Sequence, residues 1–401
     1  MPADARLSLP LQSYSAPLTE QAVIDALHTS YDHAGEQIDR QTAGHIPHRQ
    51  MIQIVASAAQ DIEAFYAQRE PMVPANDTLS VKALEVMSVD GTGVRMRPEG
   101  LREETRKLAE QQAQRASKGD PMAQRQARSH THRMAVVTAN WEQEPLVRTP
   151  EDILRDLKAT KTGRSVKVKR VAGPRKDLPK PQNKRVRGSL AQTAKSEIEA
   201  MFVESDRRDP ERVGKRVVLV DGSECQKAYV LETAARMGVV VTLILDVIHV
   251  LHYLWKLSEL LTKGEDGARE EWVRDHLMRL MTRPAWSVIS GIRQSATHRG
   301  LKGEGRKRME AALGYLSNNA DLVDYGAYLA AGMPIATGVI EGSCRHLVKD
   351  RMAITGARWG LLGAEAVLTL RSVWASGDWD AYWAFHLRQE HLRNYPMAEA
   401  A

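Results

Sequence analysis

A chain of 401 residues with 43% hydrophobic content can bury at least one full core, and its length suits two to four structural units. The formal charge of +6 and an isoelectric point near 9.2 favour an anionic partner. Two distant cysteines, Cys225 and Cys344, exclude a disulfide framework or a zinc finger and fit a reducing cytoplasm; residues 1–10 lack the pattern of a signal peptide, and the most apolar stretch, 239–261, carries too many polar groups for a membrane span.

Residues 19–70 place apolar groups at helical spacing, with Val23, Ala26 and Leu27 followed by Ile52, Val55, Ile62 and Phe65. A helical N-terminal region is expected over 1–78. Val86–Val89 reads as the first core strand, with Gly91 and Gly93 marking a turn or bulge after it. The polar residues 102–130 suit an exposed helix, and 132–141 reads as a second strand antiparallel to the first. From Lys158 to Arg187 twelve basic residues stand against the single acid Asp177, a net +11. With Gly173, Pro174, Pro179 and Pro181 interspersed, this stretch reads as a flexible arm inside a basic insertion, 150–200, that suits a phosphate backbone. The residues expected to touch DNA are Lys158, Lys161, Arg164, Lys167, Lys169, Arg170, Lys184, Arg185 and Arg187. A helix over 189–204, a strand over 216–221, a helix over 226–237 stopped by Gly238 and a strand over 239–246 form a strand-helix-strand unit, the mark of an α/β chain with a parallel pair. Residues 251–336 read as a helical insertion, and 337–395 as C-terminal helices, near 338–352 and 363–375, before an aromatic tail.

Three acids sit at the edges of apolar runs: Asp90 after Val86–Val89, Asp221 after Val217–Val220, and Glu341 inside Thr337–Arg345. Carboxylates held rigidly at a sheet rim can converge on a divalent metal, and two-metal phosphodiester chemistry needs such hard oxygen ligands. Glu341 would share a helix face with Arg345 and Lys349, which could hold a phosphate, while Ile340, Cys344, Leu347 and Val348 form an apolar stripe. The plainer alternative is an ion pair between Glu341 and Arg345. Asp246 and His249 read as a hydrogen-bonded pair fixing a strand-to-helix junction. His249 and His252 could share a helix face, but no third ligand at metal-binding spacing accompanies them.

The ordered set Val89-Asp90-Gly91-Thr92-Gly93, Val220-Asp221-Gly222, Leu245 to Trp255 and Thr337 to Arg345, continuing through Lys349–Met352, Thr355–Trp359 and Leu370-Arg371, resembles bacterial insertion-sequence transposases of the DDE type. The resemblance covers about residues 45–395 and is nearest to the Kra group of insertion sequences. It implies an α/β fold with an RNase H-like mixed five-stranded sheet, begun in 79–250, interrupted by the helical insertion and completed by 337–395. It makes Asp90, Asp221 and Glu341 the catalytic and metal-binding acids, with Asp246 the alternative to Asp221, and Asp246 and His249 matching an Asp-x-x-His signature. The implied cofactor is Mg2+, or Mn2+. The implied activity is DNA cleavage followed by strand transfer from the freed 3′-hydroxyl, without a covalent protein intermediate. The implied partners are element ends and target DNA, bound by a homo-oligomer in the nucleoid, with no membrane. Relatives carry an Ala and a Trp where this chain has Ser223-Glu224-Cys225-Gln226, and some begin with a Cys-rich finger that is missing here, so residues 1–75 or the basic arm would read the DNA. The rival expectations are a nuclease of the same fold without transposition, and an inactive or domesticated DNA-binding protein.

Overall fold

The structure, a computed structural model, describes residues 14–42, 44–68, 83–117, 131–156, 178–262, 266–336 and 338–396. In chain order its main elements are α1 (Ala16–His28), α2 (Tyr31–Thr42), α3 (His48–Ala58), α4 (Ile62–Ala67), β1 (Leu84–Arg95), α5 (Glu103–Ser117), β2 (His132–Gln143), α6 (Pro150–Asp156), β3 (Gln182–Ser189), α7 (Ala194–Arg208), β4 (Lys215–Val220), α8 (Glu224–Met237), β5 (Val241–Leu245), α9 (Val247–Leu261), α10 (Asp266–Thr282), α11 (Ala285–His298), α12 (Gly303–Asn318), α13 (Tyr325–Ala330), α14 (Gly338–Ser343), α15 (Leu361–Ala375) and α16 (Trp379–Asn394). Among the described residues no helix is long and apolar enough to cross a membrane.

The strands form one mixed sheet of order β3-β2-β1-β4-β5. Strands β1 and β2 pair antiparallel over their whole lengths, β3 continues the antiparallel set, and β4 and β5 run parallel to β1. Parallel neighbours need long crossovers, and α7 and α8 supply them. The central β1 reads apolar almost continuously, Val86, Met87 and Val89 being buried, because helices cover both of its faces. Gly188 on β3 lets α15 and the chain after α14 approach the sheet, since a Cβ there would meet Leu347 at 2.9 Å and Leu368 at 3.0 Å.

Two expectations are corrected. Asp90 does not close its strand: β1 runs on through Gly91 and Gly93 to Arg95, pairing with β2 to its end, and neither glycine has a positive φ. The basic stretch is not an arm throughout, because Lys184, Arg185 and Arg187 lie on β3. Arg185 is buried against Glu204, and Arg187 pairs with Glu197 at 3.2 Å. Those two guanidiniums are committed to the fold. Lys158, Lys161, Arg164, Lys167, Lys169 and Arg170 lie outside the described residues.

Candidate functional site

The register of the parallel strands aligns three aspartates. Ser88 of β1 is paired with Leu219 of β4, and two residues further on the same register sets Asp90 level with Asp221. Val220 is paired with Leu245 of β5, and one residue further sets Asp221 level with Asp246. Each aspartate is pinned through one oxygen by a backbone N–H. Gly91 donates to Asp90 at 2.6 Å, Ser223 to Asp221 at 2.8 Å, and Ile248 to Asp246 at 2.9 Å. The last contact makes Asp246 the N-cap of α9, the position where such a residue satisfies an orphan donor.

Glu341 reaches the same region from α14, which packs against β1 and β2. Burial pushes its carboxyl above the usual glutamate range, and the charges of Asp246 and Asp90 add to that rise while His249 and Lys349 oppose it. Asp221 is likewise raised, by burial first and by Asp90 among its neighbours. His249 is raised by its contact with Asp246, with Asp221 and Asp90 adding to it. Its Nδ1 lies 3.5 Å from Asp246 Oδ2, at the outer limit of a hydrogen bond. The carboxylates therefore feel one another across a shared region where His249 and Lys349 oppose the rise.

The helix spacing expected after Glu341 does not persist. Cys344–Lys349 is a π-helical turn, a form that often marks functional sites. Arg345 faces Asp350 at 3.7 Å, while Lys349 stays near enough to Glu341 to oppose the rise in its pKa. Arg345 and Lys349 are both exposed. The apolar stripe of Ile340, Cys344, Leu347 and Val348 is buried as expected. His252 is exposed, and its pKa is lowered by burial and by Lys256.

Three residues of the site carried no functional signal in the sequence. The Cys344 thiol, read only as part of the stripe, donates to Asp90 Oδ2 at 3.6 Å. Tyr315 of α12 donates to the main-chain oxygen of Asp221 at 2.7 Å and stacks on Tyr253 with centroids 3.8 Å apart. Asn319 packs beside it against Gly222, which has φ +83, and a Cβ there would meet Asn319, Leu245 and Tyr315 at 2.9 Å. The Asp221-Gly222 turn thus requires glycine both for its left-handed backbone and for the approach of α12. Only an alignment in space, not a local motif, could have pointed to Tyr315 or Asn319.

The donor set suits a hard divalent cation: carboxylate oxygens gathered in one region, those of Asp90, Asp221 and Asp246 oriented by backbone donors. The spacing does not yet match that chemistry, since among the described residues no three His, Cys, Asp or Glu side chains stand close enough to share an ion. No protein-family model matches the chain, and no curated protein matches it.

Proposed function

We propose that the chain is a DDE-type transposase of an insertion sequence, cutting DNA at the element ends and joining the freed 3′-hydroxyl to target DNA. The observation that carries this reading is the shared level of Asp90, inside β1, with Asp221 and Asp246, just past the carboxyl ends of β4 and β5, and Glu341 close to them on α14. An RNase H-like core is supported by the order β3-β2-β1-β4-β5, with an antiparallel half joined to a parallel half through β1. Asp90, Asp221 and Glu341 would hold Mg2+ or Mn2+. Bound there, such ions supply charge neutralisation at the attacking and leaving oxygens.

The chain's own groups do the rest. Backbone donors at Gly91, Ser223 and Ile248 fix how the aspartates point. Asp246 caps α9 and raises the His249 pKa beside Asp221, whose own rise His249 opposes. Lys349, exposed and close enough to Glu341 to oppose the rise in its pKa, would meet a phosphate. Binding to DNA and assembly on paired ends belong to the same proposal.

The test uses the purified protein, DNA carrying the element's own ends, a supercoiled target and Mg2+. Nicks at the ends and joined products are expected, both lost in Asp90→Asn, Asp221→Asn and Glu341→Gln, while gel-shift binding persists. Release of ends without joining would assign a nuclease, and binding without any cleavage a DNA-binding protein; either result overturns the reading.

A further inference from the structure

Away from the carboxylates, a trough of about 380 Å3 runs between α10 and α11. On α11 its floor is Ser287, Gly291 and Ser295. They recur every fourth residue, so they line one side of the helix over about 12 Å at 1.5 Å per residue. A Cβ built on Gly291 would meet nothing within 4 Å. The floor is therefore open above the glycine.

The opposite wall is cationic. Arg279 lies in the last turn of α10, Arg283 directly follows that helix, and Arg299 follows α11. All three are exposed. One carboxylate, Asp275, lines the trough with them and pairs with Arg279 at 2.8 Å. Arg299 donates to the Leu261 carbonyl, and Arg283 makes no ion pair among the described residues. His276 adds no charge near neutrality: burial lowers its pKa, its Nδ1 is engaged by the Trp272 carbonyl at 2.8 Å, and its ring stacks on that indole at 3.7 Å. Three guanidiniums against one carboxylate leave a positive trough.

We propose that this trough binds the sugar–phosphate backbone of a nucleic-acid strand. Its length suits successive anions in a row, not one ion. Guanidinium forks and the Ser295 hydroxyl are donors that phosphate oxygens accept, the Ser287 hydroxyl already donates to the Pro284 carbonyl at 2.8 Å, and the bare Gly291 lets a backbone lie close. An acidic peptide would need apolar anchors, whereas the aliphatic side chains in the lining, Val288 and Ile292, are buried. The trough shares no residue with the carboxylate cluster, and its test involves no cleavage, so this inference stands or falls apart from the strand-transfer reading.

Anisotropy of labelled random-sequence oligonucleotides, titrated with the full chain across a salt series, tests it. The double variant Arg279→Gln/Arg283→Gln should flatten the duplex plot of log affinity against log salt by up to about 1.8, roughly 0.9 per phosphate contact. Gly291→Glu sets a carboxylate on the floor, its Cβ meeting nothing within 4 Å, and replacing a mid-helix glycine favours the helix. That variant should melt no lower than wild type yet bind about tenfold more weakly, the scale of a lost charged hydrogen bond. Unchanged slope and affinity in both variants would overturn the proposal. So would labelled poly-glutamate that binds as tightly as the oligonucleotide and is weakened equally by both variants, which would assign the trough to an acidic peptide.

Discussion

Strands β1 and β4 carry charge at both ends of their shared ladder and treat it in opposite ways. At the amino end Glu85 is the register partner of Arg216, and the two lie 3.3 Å apart with side chains 2% exposed. Ser205 joins both, donating to Glu85 at 2.7 Å and accepting from Arg216 at 2.8 Å, and Asp209 lies 3.3 Å from Arg216. Five residues further on, the same register brings Asp90 level with Asp221, acid against acid. Burial still pushes the Glu85 carboxyl up, with Ser205 and Arg216 pulling against it, so even the paired end gains little from its charges. At the other end the repulsion is left standing. A chain selected for stability alone has no reason to leave it, and such unrelieved charge is what the proposed metal-binding role would use.

The largest expected effect breaks the paired end. Arg216→Met should cost about 3–5 kcal/mol in urea unfolding, since it strands a buried Glu85, whereas the double change Glu85→Met/Arg216→Met should recover most of that loss. At the carboxyl edge Asp90→Asn and Asp221→Asn remove charge from a repelling set, so both should fold at least as stably as wild type at pH 7 while cleavage disappears. If Asp221→Asn unfolds as readily as Arg216→Met, the two ends do not differ in kind.

Capping separates Asp246 from Asp221. Asp246 is 2% exposed, holds the first turn of α9 and faces His249 at 3.5 Å, so Asp246→Ala should lower stability by about 1–3 kcal/mol. Should Asp246→Asn instead leave a stable protein that cannot cleave, while Asp221→Asn still cleaves, the second acid is Asp246.

The pH dependence sharpens the same contrast. The Asp221 carboxyl is raised from 3.8, so its contribution to stability is complete below about 3.8 and is lost as pH rises through the higher folded value. Asp221→Asn should therefore gain on wild type as pH climbs from acid toward neutral. His249 is raised from 6.5, so its contribution is complete below about 6.5 and fades above its folded pKa. The penalty of His249→Gln should be largest in acid and shrink with rising pH. Unfolding curves for both variants across pH 3–9 decide the matter, and a shift of either in the reverse direction contradicts the charge environment described for the site.

Much of this contrast was legible in the sequence, and the remainder was hidden for physical reasons. The strands β1, β2, β4 and β5 announce themselves as β-branched and apolar runs, and Asp90, Asp221 and Asp246 stand out because each ends such a run. Strand β3 has one large apolar residue, Val186, among Gln182, Asn183, Lys184, Arg185 and Arg187. It pairs on one side only, and its arginines become tolerable through Glu204 and Glu197 of α7, partners visible only after folding. Gly91 and Gly93 read as a turn, yet β1 continues because its far half needs only β2 beside it. The alignment of the aspartates depends on register, which apolar runs do not reveal. The face expected to join Glu341 with Arg345 and Lys349 assumed 3.6 residues per turn; a π turn follows instead, with Lys349 still near Glu341 and Arg345 turned to Asp350.

The smallest expected effect concerns how the helical insertion touches the site. The Tyr315 hydroxyl donates to the Asp221 carbonyl at 2.7 Å, and its ring stacks on Tyr253. The Asp221-Gly222 turn is thereby held from outside the sheet, by a residue 94 positions away. Tyr315→Phe keeps the ring and its stacking but removes one hydrogen bond, so it should cost about 1 kcal/mol of stability. If the bond positions Asp221, cleavage should slow more than that modest loss of folded protein explains, with DNA affinity unchanged, and Tyr315→Leu, which also removes the stack, should slow it further. A rate that tracks only the folded fraction would reduce Tyr315 to a packing residue. It would also confine the difference between the two ends of the ladder to the sheet itself, with α12 serving only to cover Gly222.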